Sequence, residues 1–104
     1  MNPPATTVRV ELPAHLRLLS GISGELALTL DAPPTLAALI DTIEARFPML
    51  AGTIRDHHTR QRRPYLRFFA CETDISHQPL EAPLPPQISS GQEPLIILGA
   101  IAGG

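Results

Sequence analysis

No lysine occurs in the 104 residues, so all eight cationic side chains are arginines; ten carboxylates bring the net charge to −2. That balance lacks the electrostatic footprint of a general nucleic-acid or anionic-membrane binder, so neither partner is expected. Cysteine is nearly absent. The single Cys71 has no internal disulfide partner, which fits a reducing compartment and sets the cytoplasm as the expected location. No apolar run approaches the length that spans a bilayer, and the opening Met1-Asn2-Pro3-Pro4-Ala5 lacks the charged-then-apolar pattern of a signal peptide. There is no glycine-rich phosphate loop of the Walker type, and no Ser-His-Asp arrangement is evident. Apolar content of 43% is ordinary for a folded chain, and the length suits one domain.

What is present is punctuation. Twelve prolines cut the chain into short elements. Residues 1–5 read as a loose lead-in. Thr6 to Leu12 then alternates, with Val8, Val10 and Leu12 on one side and Arg9 and Glu11 on the other, the pattern of a half-buried strand. His15 to Leu19 is read as continuing to a turn at Ser20–Gly24, where two glycines supply positive φ. Glu25 to Leu30 alternates again, with Leu26, Leu28 and Leu30 inward, which completes an opening hairpin. Pro33-Pro34 stops that strand. Thr35 stands where an N-cap belongs, followed by Leu36, Leu39, Ile40, Ile43 and Phe47 at helical spacing, and Pro48 ends the helix.

Met49, Leu50 and Ile54 are expected to cover an end of the core in a short helical turn. Residues 55–64, with Arg55, Arg60, Arg62 and Arg63, read as an exposed, solvated basic loop, or secondarily as a contact for an acidic partner surface. His57 and His58 are adjacent and therefore diverge, so no metal site is expected there. Tyr65 to Cys71 is a strand with Leu66, Phe68 and Ala70 inward and Tyr65, Arg67 and Phe69 outward. A short edge strand follows around Ile75. Residues 79–87 carry four prolines and must be extended or turning. Leu95 to Leu98 is the last strand, with Leu95 and Ile97 inward and Ile96 and Leu98 outward. Cys71 reads as structural or incidental rather than as a catalytic thiol. One apolar helix stripe and one inward sheet face point to an α+β domain over 1–104, with a mixed sheet of four to five strands packed on one main helix in the β-grasp order.

The sequence closes on Gly99-Ala100-Ile101-Ala102-Gly103-Gly104. Frayed ends are common at termini; glycine, having no Cβ, also lets another protein's walls close on the backbone. Several stretches resemble the MoaD/ThiS family of ubiquitin-like sulfur carriers: Val8-Arg9-Val10-Glu11-Leu12-Pro13-Ala14-His15-Leu16-Arg17, Pro34-Thr35-Leu36 with Leu39 and Ile40, the turn Ser90-Gly91-Gln92-Glu93, and the tail Ile101-Ala102-Gly103-Gly104. The chain departs from the family where Ala70-Cys71-Glu72 replaces its Val-Asn-Gly step, where Gly99-Ala100 replaces prolines before the tail, and in the long 55–64 loop.

The resemblance implies a flexible Gly-Gly tail over 99–104. It implies that a ThiF/MoeB-like adenylating enzyme uses ATP to convert the Gly104 carboxylate to an acyl-adenylate. A sulfur donor then leaves a thiocarboxylate, which serves an acceptor such as a molybdopterin synthase large subunit. No tightly bound cofactor or metal is implied, and the catalytic groups belong to the partners, so the chain reads as a carrier or small subunit. Gly103, Ala102, Ile101, Leu98, Ile96 and Phe69 are the expected partner-binding residues, the last three as an apolar patch on the outer sheet face. Two other readings stay open: a ubiquitin-like modifier conjugated through Gly104, which the lack of lysine bars only from chains linked through its own lysines, and a β-grasp binding subunit that never uses its tail.

Overall fold

Alternation sets the first two strands as expected. β1 (Ala5–Glu11) buries Val8 and Val10 completely and pairs antiparallel with β2 (Leu26–Asp31), whose Leu26, Leu28 and Leu30 lie on the same buried face. The chain is described here by a computed structural model that covers residues 4–99. β1 begins at Ala5, inside the stretch read as a lead-in.

The connection between these strands differs from the sequence reading. His15 to Leu19 does not extend the strand but lies in α1 (Ala14–Ser20). Pro13 at its N-cap has φ −65°, and its carbonyl accepts from the amides of Leu16 and Arg17. Gly21, at φ 78°, closes the helix in the left-handed region that glycine adopts without steric cost. Only Leu16 of these seven residues is buried, so the helix has no apolar stripe for periodicity to reveal.

The main helix, α2 (Leu36–Arg46), buries Leu36, Leu39, Ile40 and Ile43 against the sheet. Its first-turn amides are satisfied in two ways. Thr35 Oγ1 accepts from Ala38 N at 3.1 Å, and Leu80 O, from the proline-rich segment, accepts from Ala37 N at 2.9 Å. Thr35→Ala removes the first of these and should cost about 1 kcal/mol, read as a lower urea midpoint with an unchanged m-value. Past the helix a 3-10 turn, Pro48–Leu50, leads to Ile54; Leu50 and Ile54 are fully buried while Met49 is half exposed.

The 55–64 segment corrects the reading of a solvated basic loop. Arg55 is only 3% exposed, and its guanidinium is bound by Asp41 and by Glu44 at 3.1 Å, both on α2. Burial pulls the Arg55 pKa down, but the two carboxylates outweigh it and the net shift is upward. Arg55 and Arg62 form a bridge, Asp56 N donates to Gln61 O at 2.7 Å, and the Asp56 carboxylate accepts from the amides of Thr59 and His58. Those amides, with Arg63 adding its charge, hold the Asp56 carboxyl below the usual carboxylate range. The loop is therefore a small hairpin riveted to α2, with its tip, His57 to Gln61, and Pro64 in solvent.

β3 (Leu66–Ala70) buries Leu66, Phe68 and Ala70, as the alternation predicts. A two-residue turn, Cys71 at φ 52° and Glu72 at φ 66°, leads to β4 (Thr73–Asp74). Ile75 is buried just beyond β4 rather than within it, its amide bonded to Phe68 O at 2.8 Å. The proline-rich segment crosses the start of α2 and ends in a short helix, α3 (Pro86–Ser89), where the sequence reading had extended or turning chain. β5 (Leu95–Gly99) then runs up the middle of the sheet; it takes in Gly99, the first residue of the expected tail. The sheet order is β2-β1-β5-β3-β4, with β5 parallel to β1 and antiparallel to β3. The core lies between one face of this sheet and α2, with Phe68 its largest fully buried side chain.

Candidate docking face and tail root

β5 does two things at once. Its odd residues, Leu95 and Ile97, are buried in the core, so Ile96 and Leu98 must project from the opposite, helix-free face. Register then decides their company. Phe69 of β3 stands directly across from Ile96, and Arg67 stands across from Leu98. On the other side Glu11 of β1 is level with Ile96. Phe69, Ile96 and Leu98 thus share one outer strip at the centre of the sheet. Leu98 is 47% exposed, and Phe69 and Ile96 are half-buried by their neighbours.

Charge frames this strip. Arg67 Nη1 lies 3.6 Å from Asp74 Oδ2 and 3.4 Å from His77 Nε2. The Ser76 hydroxyl and amide, aided by Arg67, keep the Asp74 carboxyl below its usual range. Across the sheet Arg9 meets Glu25 at 3.1 Å and donates to Gly91 O at 3.2 Å. Beside Ile96 an open depression of about 420 Å³ is lined by Cys71, Glu72, Glu93 and Pro94.

The inner side of the tail root is closed. A Cβ on Gly99 would fall 2.8 Å from His15 Cε1 and 3.5 Å from Pro13 Cβ. The start of α1 therefore packs onto the last described residue of β5, and the outer side, with Leu98 and Arg67, stays open. Sequence reasoning missed this contact because it missed α1. Arg67 was placed outward by alternation, but its ion pair with Asp74 depends on the turn at Cys71-Glu72, which carries no glycine to announce it. Four expected site residues, Ile101, Ala102, Gly103 and Gly104, lie outside the described residues.

Other chemistry is sparse. Among the described residues no group of three or more His, Cys, Asp or Glu could hold a metal ion, and no helix is long and apolar enough to cross a membrane. His57 and His58 meet each other edge to face at 5.4 Å. Cys71 is exposed and free.

No family model and no curated protein matches the sequence. Solved structures do match the fold. SAMP1 from Haloferax volcanii superposes with a TM-score of 0.72 at 15% identity, over 94% of this chain and 99% of that one. A second structure, of H. volcanii small archaeal modifier protein 1, gives 0.72 at 14% identity, over 92% and 99%. The Haloferax volcanii HVO 2177 protein gives 0.74 at 15% identity, over 100% and 92%. The chain has the ubiquitin-like β-grasp fold. At these identities the likeness is one of architecture. The β-grasp places Ile96 and Leu98 of the outer strip on the strand that leads out to residues 100–104, so this part of the strip and the tail root belong to one element.

Proposed function

We propose that this β-grasp chain is a ubiquitin-like carrier whose working group is the carboxylate of Gly104. The supporting observation is the shared strand: Ile96 and Leu98 form the centre of the exposed apolar strip, and the same strand ends one residue later at the tail root. A partner that grips the strip receives the tail root, Gly99, at a fixed distance. That suits a ThiF/MoeB-like, E1-like adenylating enzyme. The Gly104 carboxylate oxygen attacks the α-phosphorus of ATP bound by that enzyme, and pyrophosphate leaves. A sulfur donor, typically a persulfide, then attacks the activated carbonyl carbon and AMP leaves, forming an acyl disulfide; a second thiol attacks the donor's sulfur, breaking the sulfur–sulfur bond, so that the thiocarboxylate leaves and the two thiol groups end as a disulfide. Activation is needed because a carboxylate is a poor electrophile with a poor leaving group. The product is useful because ionised sulfur is a good nucleophile near neutral pH. The acceptor would be an enzyme of cofactor or metabolite biosynthesis, such as a molybdopterin synthase large subunit, with this chain in a role like that of the small subunit.

A second reading, conjugation of Gly104 to other proteins, is favoured by the likeness to a structure described as a small archaeal modifier protein. Intact-mass measurement on the protein isolated from its own cells separates the two. A terminal species heavier by one oxygen-to-sulfur exchange supports the carrier, and isopeptide adducts support the modifier. If neither appears, and deleting Gly103-Gly104 leaves the cells unaffected, the tail has no chemistry and both readings fall. Docking is checked separately. Ile96→Glu should lower kcat/KM for adenylation by roughly tenfold or more, as expected for a central interface residue, while leaving thermal stability almost unchanged.

A further inference from the structure

Among the described residues one long edge of the sheet has no paired strand. β2 is an outermost strand, whereas the opposite edge, β4, is only two residues long. The hydrogen-bond phase of β2 follows from a single contact. Ala32 N donates to Pro4 O at 2.9 Å, and the register runs in step from Ala5↔Asp31 to Val10↔Leu26. Antiparallel pairs alternate, so Leu26, Leu28 and Leu30 exchange hydrogen bonds with β1. Ala27, Thr29 and Asp31 therefore turn their amides and carbonyls to the free edge.

Such an edge is a template for a further strand, and folded proteins defend it with charge, proline, bulges or a covering segment. Leu26-Ala27-Leu28-Thr29-Leu30 contains none of these. The defence comes from elsewhere: Arg46, at the end of α2, reaches across and donates through Nη1 to Ala27 O at 3.1 Å. Its guanidinium is steadied over the Phe47 ring at 5.5 Å from the centroid.

We propose that β2 is a self-association edge, that its occupant is a second copy of this chain, and that Arg46 holds it shut. The edge is self-complementary. With Thr29 opposite Thr29 of the second copy, Ala27 falls opposite the second copy's Asp31, and the exposed hydrogen-bonding groups match in number. Leu28 then stands beside the second copy's Leu30 on the helix side, and the released Arg46 lies next to the second copy's Asp31 carboxylate. Two sheets join into one without touching β5, which lies two strands away.

The test is made in a Cys71→Ser background, to remove the native thiol. Arg46→Ala should shift the monomer–dimer midpoint by about tenfold or more toward dimer in light scattering. If that variant fails to fold, Arg46→Met, which keeps the packing on Phe47, replaces it. Thr29→Cys in the opened chain should form a disulfide with its own copy, because residues in a hydrogen-bonded pair sit about 5.5 Å apart at Cα. Ala27→Cys should not, because its counterpart is displaced by four residues, about 13 Å. The proposal is overturned if the opened chain stays as monomeric as wild type, if Ala27→Cys cross-links as fast as Thr29→Cys, or if Thr29→Cys cross-links equally well with Arg46 in place.

Discussion

Gly103→Ala should reduce adenylation by a partner enzyme roughly a hundredfold, the scale expected when a reacting group is displaced by about 1 Å, with no change in melting temperature. The argument is steric. On the proposed reading, Gly103-Gly104 would enter a channel that closes on the backbone, and a single methyl group would push the carboxylate out of line with ATP. Deleting Gly103-Gly104 should abolish the reaction altogether, because the remaining carboxylate lies two residues short. Both variants should still bind the adenylating enzyme through Phe69, Ile96 and Leu98, so a pull-down keeps its signal while turnover is lost. Equal turnover of Gly103→Ala and wild type would falsify the threading argument, even if the outer face proves essential.

Arg55→Ala carries the largest stability effect expected for a polar residue. The guanidinium is almost wholly buried and bridges Asp41 and Glu44. Removing it leaves Glu44, which is only 16% exposed, facing a void beside a carboxylate of the same sign. Asp41 is 58% exposed and retains Arg60 at 3.2 Å, so it recovers much of its solvation. The cost should therefore lie at the lower end of the range for a broken buried pair, about 3 kcal/mol. Glu44→Gln in the same background should return part of it, since it removes the repulsion. Chemical denaturation of the two single variants and the double variant measures this coupling. If Arg55→Ala is within about 0.5 kcal/mol of wild type, a value typical of surface substitutions, the 55–64 hairpin is not anchored by Arg55.

How much of this was legible in the sequence depends on the range of the signal. Strands β1, β2, β3 and β5 and helix α2 each repeat an apolar residue at one period for two turns or more, and Thr35 and Pro48 mark the ends of α2. Those elements, their faces and the placing of Phe69, Ile96 and Leu98 all followed. α1 did not, because a seven-residue helix that buries Leu16 alone has no repeat. The buried Arg55 did not either. Its burial is decided by Asp41 and Glu44, polar residues off the apolar stripe of α2, and nothing local to Arg55-Asp56-His57-His58 distinguishes one arginine from the next. The Cys71-Glu72 turn was equally silent, since its left-handed backbone is usually announced by asparagine or glycine. Here two residues with side chains adopt it, held by the pairing of Phe69 with Asp74 and Ala70 with Thr73.

The position of β5 has a consequence for how the molecule is made. Until β5 is added the sheet is two separate pairs, β2-β1 and β3-β4, with a gap where its middle belongs. A chain whose β5 is not yet paired therefore presents neither the complete outer strip nor a fixed tail root. Closure of the sheet and the appearance of the outer strip are therefore one event, so the strip exists only on a molecule whose core is already sealed.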